Sequence, residues 1–143
     1  MSDSYRTTRR VEFRDTDAAG IVHFSAFFFY MESVEHEFLR QLGLSVLSKD
    51  DTSPISWPRV SASCDFQSAV RFEDMLDISL RVARLGEKSI TYEFEFSHGD
   101  RQVATGKTIA VCCRFAPGDS PKSIPIPAAI AAKLRPFAGD VSK

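Results

Sequence analysis

Within RDTDAAGIVHF, residues 14–24, two carboxylates, Asp15 and Asp17, stand just ahead of Ala18, Ala19 and Gly20. Small residues let backbone and ligand approach closely, and a glycine adds conformational freedom. His23 follows, and then a phenylalanine-rich segment begins. A carboxylate can serve as nucleophile or general base. A helix start offers unpaired N–H groups and the positive end of a dipole to a developing negative charge. An acid, a flexible turn and a helix start, in that order, are the parts of such a pair. Asp17 also has a plain reading, because Asp-x-x-Gly is ordinary turn chemistry. Asp15 reads as a structural acid at a strand end or turn. His23 reads as a pocket or packing residue, with a general base as its alternative. Asp15, Asp17 and His23 lack the further His or Cys partners that a metal site needs, so no metal is expected.

These residues need elements to hold them. Residues 5–14 alternate, with Tyr5, Thr7, Val11 and Phe13 on one face and Arg6, Arg10, Glu12 and Arg14 on the other, which predicts a strand. Residues 25–42 predict a helix about 27 Å long. Its apolar stripe is Phe27, Tyr30, Met31, Val34, Phe38 and Leu42. Ser25 is placed to cap it and Gly43 to end it. Phe27, Phe28 and Phe29 point in several directions, as suits a helix covered by a sheet. With Tyr30 and Trp57 they can line an aromatic pocket or pack the core. A carboxylate of Glu32 or Glu35 turned inward can position water, while a solvated helix face is the plain reading of Glu35.

Residues 44–59 read as a loop. Four strand runs follow. Val60, Ala62, Cys64 and Phe66 share one face of the first. Leu76, Ile78, Leu80 and Val82 mark the second, and Ile90, Tyr92, Phe94 and Phe96 the third. The fourth runs from Gln102 to Phe115, with Val103, Ile109, Val111 and Phe115 on one face. Gly86-Glu87-Lys88 and His98-Gly99-Asp100 are turns between them, and a short helix spans roughly 128–137. Strand, helix, then four antiparallel strands make an α+β domain. Arg71, Arg84, Lys88 and Arg114 lie at strand ends or turns, where cations can meet phosphates.

A length of 143 residues suits a single domain, 1–143. The net charge of -1 gives no bulk attraction to nucleic acid or an anionic membrane. No window has the apolar length of a membrane span, and the N-terminus is unlike a signal peptide. Cys64, Cys112 and Cys113 are odd in number and contain no C-x-x-C, so reduced thiols in a cytoplasmic protein are expected.

The stretch FRDTDAAGIVHFSAFFFYMESVEHEFLRQLG, residues 13–43, resembles the 4-hydroxybenzoyl-CoA thioesterase family of hotdog-fold acyl-CoA thioesterases. VSASCDFQSAVRFEDMLDISLRVARLGEKSITYEFEF looks like that family's central strands, with Asp74 at a turn, and IPIPAAIAAKLRPF like its closing segment. The resemblance implies a hotdog fold, an antiparallel sheet wrapped around one long central helix. It implies an acyl-CoA substrate, no cofactor, and a homodimer or homotetramer with active sites between subunits. By the same resemblance Asp17 attacks the thioester carbonyl or activates water, and the Phe24 backbone N–H polarises the carbonyl oxygen. Gly20 then admits the substrate closely, and Glu32 stands where relatives carry an acid. His23, Phe27, Arg71 and Lys88 are the further candidate substrate contacts. Many relatives have histidine and asparagine where Phe24 and Ala26 stand, so an acid working with backbone donors suits this chain. Rival readings are a hotdog dehydratase, an acyl-carrier-protein thioesterase, or a non-catalytic acyl-CoA-binding dimer.

Overall fold

The computed structural model describes residues 3–49 and 53–138. In chain order the strands are β1 (Tyr5–Arg10), β2 (Ser48–Lys49), β3 (Pro54–Ser56), β4 (Arg59–Phe66), β5 (Met75–Leu85), β6 (Ser89–His98), β7 (Arg101–Val111), β8 (Cys113–Arg114) and β9 (Lys122–Ser123). Helix α1 (Ala26–Gln41) follows β1, and α2 (Ala128–Leu134) follows β9. The large sheet has the order β1-β5-β6-β7-β4, with every pairing antiparallel. A small sheet, β2-β3-β8-β9, lies in the region expected to be a loop. Residues 50–52 of that expectation lie outside the described residues.

Alternation in β5 and β6 puts Leu76, Ile78, Leu80, Val82, Ile90, Tyr92, Phe94 and Phe96 into the core. Phe27, Tyr30, Met31, Val34 and Phe38 of α1 are buried against them. At about 25 cal/mol per Å² of apolar surface, this interlayer burial is the main force holding helix to sheet. The helix is a little shorter than residues 25–42. Gly43, at φ +76°, takes the left-handed conformation that stops it. Ser25 precedes it without a side-chain capping bond.

Three strand expectations need correction. β1 ends at Arg10, and Phe13 sits on a 3-10 turn with its ring exposed. In β7 the helix-facing column is Ala104, Gly106, Thr108 and Ala110, all buried; Val103 is buried as well, but Ile109 and Val111 are only half-buried. A Cβ built on Gly106 would lie 2.3 Å from Met31 Sδ, so α1 rests directly on this strand of small residues. In β4 the register shifts between Arg59 and Ser61. That bulge leaves Val60 63% exposed and turns Arg59 toward α1. β4 is also an edge of the sheet, and Phe66 at its end is half exposed.

Candidate functional site

The loop between β1 and α1 is held from both sides. Val11 N–H donates to Asp74 O (2.8 Å) and Val22 N–H to Val70 O (2.9 Å). The Asp15 carboxylate accepts the Glu12 N–H and the Tyr30 hydroxyl, each at 2.9 Å, tying the loop to the helix. Burial and this carboxylate together push the Tyr30 phenol well above its ordinary range, so it stays a donor. Asp15 therefore acts as a structural acid.

Asp17 sits at a tight reversal. Its N–H donates to Ile21 O and its carbonyl accepts the Gly20 N–H, each at 2.9 Å. Gly20, at φ +80°, supplies the left-handed backbone this turn requires. One carboxylate oxygen, Oδ1, accepts the Ala19 N–H at 2.9 Å, which is the turn chemistry legible in Asp-x-x-Gly. The other oxygen, Oδ2, has no hydrogen-bond partner among the described residues. Asp17 is half-buried and lines a cleft of ≈ 380 Å³ with Phe24, Phe27, Phe66, Gln67 and Val70.

The helix start supplies the donor. Ala26, Phe27 and Phe28 N–H groups close a tightened first turn on the His23, Phe24 and Ser25 carbonyls respectively, and the Ser25 N–H donates to His23 Nδ1 at 3.2 Å. The Phe24 N–H is the one in this turn with no partner among the described residues. His23 Nδ1 also lies 2.8 Å from Ser25 Oγ, which explains why Ser25 does not cap the helix. Because Nδ1 accepts from Ser25 N–H, the ring carries its proton on Nε2 when neutral. The His23 ring stacks on Phe24 at 4.4 Å, yet it lines a second cavity of ≈ 660 Å³ with Asp15, Tyr30, Arg10 and Arg14.

The other candidates divide. Gly20, Phe24 and Phe27 are brought together with Asp17. Phe27 is also core, meeting Tyr30, Phe66 and Phe96 with ring centroids 5.8, 5.3 and 5.2 Å away. Arg71 is exposed at the rim, with Nη1 3.4 Å from Gly20 O. Lys88 is exposed at the far end of the β5–β6 hairpin, so within one chain it does not join Asp17. Glu32 is exposed, and it is Glu35, 1% exposed, that turns inward. Among the described residues no group of three His, Cys, Asp or Glu is arranged to hold a metal ion. No helix there is long and apolar enough to cross a membrane.

Sequence reasoning left out Arg59 and Thr108. Arg59 Nη2 donates to Glu35 Oε1 at 2.5 Å, and Nη1 to Trp57 O at 2.6 Å. Burial pushes the Glu35 carboxyl up to about 7; Arg59 opposes the rise and Glu32 adds to it. Thr108 Oγ1 is buried beside this pair with no hydrogen-bond partner among the described residues. A signal for Glu35 did exist, since Met31, Glu35, Phe38 and Leu42 share the helix's apolar stripe.

Residues 11–134 match the family model described as the thioesterase-like superfamily. A 1,4-dihydroxy-2-naphthoyl-CoA hydrolase from Synechococcus elongatus is 32% identical over 113 residues, 78% of this chain and 82% of that protein. A putative esterase of Aquifex aeolicus is 31% identical over 100 residues, 70% of this chain and 77% of its own. A solved gentisyl-coenzyme A thioesterase superposes with a TM-score of 0.78 at 32% identity, covering 91% of this chain and 99% of that one. A Synechocystis 1,4-dihydroxy-2-naphthoyl-CoA thioesterase shares the fold at a TM-score of 0.82 and 23% identity, over 93% and 96% of the two chains. With so much of its length matched, the chain belongs to the thioesterase-like superfamily.

Proposed function

We propose that this thioester hydrolase cleaves acyl-CoA to a carboxylic acid and CoA, with Asp17 as nucleophile or general base and the Phe24 N–H as the oxyanion donor. One observation carries the reading. A carboxylate oxygen and a helix-start N–H, both without partners, belong to residues that line one cleft. Such a donor gains strength from the helix dipole as negative charge develops on the carbonyl oxygen. The sheet packed over α1 is the arrangement expected of a hotdog fold. Phe24, Phe27 and Phe66 give the cleft an aromatic lining, which suits an aromatic acyl group like those in the relatives' names. Arg71 at the rim can meet a CoA phosphate as a point charge or a fork. His23 lines a different cavity from Asp17, which disfavours the dehydratase reading and a base role for the imidazole.

The working unit is a homodimer, or a tetramer of such dimers, joined edge to edge along β4. That edge presents unpaired backbone together with Val60 and Phe66, a surface that water covers poorly and a second copy covers well. Two-fold pairing of β4 also moves the second copy's Lys88 toward the Asp17 end, where CoA needs cations. The three free cysteines, two of them buried, accord with a cytoplasmic setting. The test is thiol release from a panel of aromatic, short-chain and long-chain acyl-CoAs, with light scattering on the same sample. Turnover by the native chain, lost in Asp17→Asn, is expected from a dimer or tetramer. An active monomer, or near-normal turnover in the variant, overturns the assignment.

A further inference from the structure

We infer that Asp15 and Tyr30 form a clamp that aligns the Phe24 N–H with the Asp17 carboxylate, and that both are positioning residues for the hydrolysis. The inference rests on the reading of Asp17 and Phe24 as the reacting pair. Backbone bonds lace the loop between β1 and α1 into a short ladder. The His23 N–H donates to Asp15 O (2.8 Å), Thr16 and Val22 pair as an antiparallel bridge, and the Asp17 N–H donates to Ile21 O (2.9 Å). Asp17 stands on the outgoing side of this ladder. Phe24 is the first residue past its returning side, just ahead of α1. The Asp17 carboxylate therefore moves with the ladder, whereas the Phe24 N–H sits at the joint between ladder and helix. That N–H has no partner among the described residues, so no bond of its own fixes its direction. The two bodies on either side of the joint must fix it.

Asp15 and Tyr30 tie those bodies together. Asp15 is the rung nearest the helix, and its carbonyl holds the N–H that immediately precedes that of Phe24. Its Oδ2 accepts both the Glu12 N–H and the Tyr30 hydroxyl, each at 2.9 Å. Tyr30 lies one turn inside α1 and is 6% exposed. Its ring packs against Phe27 and Phe96, with centroids 5.8 and 6.4 Å away. The core thus aims the hydroxyl, and the hydroxyl holds the ladder. A donor stabilises an oxyanion best when its direction is set before the charge develops. A displacement of about 1 Å in a reacting group can cost about 10²-fold in rate. Asp15 and Tyr30 border the other cavity and not the Asp17 cleft, so they act through Phe24 and Asp17 rather than on the substrate.

The experiment measures kcat and KM of the native chain, Tyr30→Phe and Asp15→Asn on the best substrate of the acyl-CoA panel, with amide hydrogen exchange followed by NMR on the same proteins. Tyr30→Phe keeps the ring and removes only the hydroxyl. Its kcat is expected to fall about tenfold or more while KM stays within about threefold. Its His23 amide is expected to exchange about tenfold or more faster, with the amides of β5 and β6 at native rates. Asp15→Asn is the rescue. Both donors use one oxygen of Asp15, so an asparagine carbonyl oxygen in that place accepts both. This variant should keep native His23 protection and most of kcat. An unchanged kcat in Tyr30→Phe, or a change confined to KM, overturns the clamp. So does faster exchange spread through β5 and β6, which marks a general loss of stability. A kcat loss in Asp15→Asn equal to that in Tyr30→Phe, with His23 still protected, shows that the charge of Asp15 and not the tie is what the reaction uses. If the native chain releases thiol from no member of the panel, the acyl-CoA reading falls, and the exchange measurement still judges the clamp: native His23 protection in Tyr30→Phe refutes it.

Discussion

The two ends of β4 carry the same ingredients in different states. At one end Asp17 is half-buried, tied by a single turn N–H, with its second oxygen unshared. At the other, Glu35 is buried and bound to Arg59. Both carboxylates lie beside α1 in clefts with aromatic walls. Burial makes the difference. A half-exposed carboxylate with an unshared oxygen keeps a lone pair available for attack. A buried one loses stability as an ion and requires a compensating cation, so it is held rather than reactive. The comparison teaches that an acid near the site is assigned its role by how many of its oxygens the fold already uses.

The strongest way to break that comparison is Asp17→Asn, which keeps the shape and removes the charge. We expect kcat to fall about 10²-fold or more, with the circular dichroism spectrum and the oligomeric state unchanged. Next is Arg59→Met, which leaves the buried Glu35 without its cation. It should cost about 3 kcal/mol in denaturant unfolding, and Glu35→Gln in the same chain should recover part of the loss. Gly106→Ala drives a methyl into Met31 and should cost about 1–2 kcal/mol, with a matching drop in thermal midpoint. His23→Phe sharpens the comparison on the Asp17 side. Since His23 faces the other cavity, its loss should change KM or acyl preference more than kcat. A fall in kcat equal to that of Asp17→Asn in a folded dimer would establish a histidine-assisted mechanism instead.

The smallest effect expected is a pH dependence from Glu35. Its carboxyl is raised from 4.5 to about 7, chiefly by burial, so the folded state binds the proton more tightly than the unfolded chain. The contribution to stability is therefore full below about 4.5 and is lost as pH rises toward about 7. Unfolding free energy measured across that window should slope downward in the native protein and flatten in Glu35→Gln. An unchanged slope in the variant would show that other groups carry it.

Residue patterning reached far into the fold because two periodicities carried it. Period-two alternation identified β5 and β6 with their buried faces, and helical spacing identified α1 and its stripe. Both depend only on which side of a local element is apolar. The β7 phase was misread for the opposite reason. Where a helix rests directly on a strand, small residues face it, so Ala104, Gly106, Thr108 and Ala110 turn inward and apolar Ile109 turns out. Arg59 was missed because a bulge reverses the alternation there, and a one-residue shift swaps faces.

For the site, the sequence by itself determined the local parts: an acid at a glycine turn, then a helix start, as the Ala19 N–H to Asp17 bond and the unpartnered Phe24 N–H bear out. These are interactions between residues a few positions apart, which local chemistry dictates. Only the tertiary structure decided what lies across from them. It divided His23 from Asp17, exposed Glu32, buried Glu35 on Arg59, and left Thr108 Oγ1 without a hydrogen-bond partner among the described residues. Each of those outcomes depends on burial, and burial is set by which distant strands and helix close over a residue.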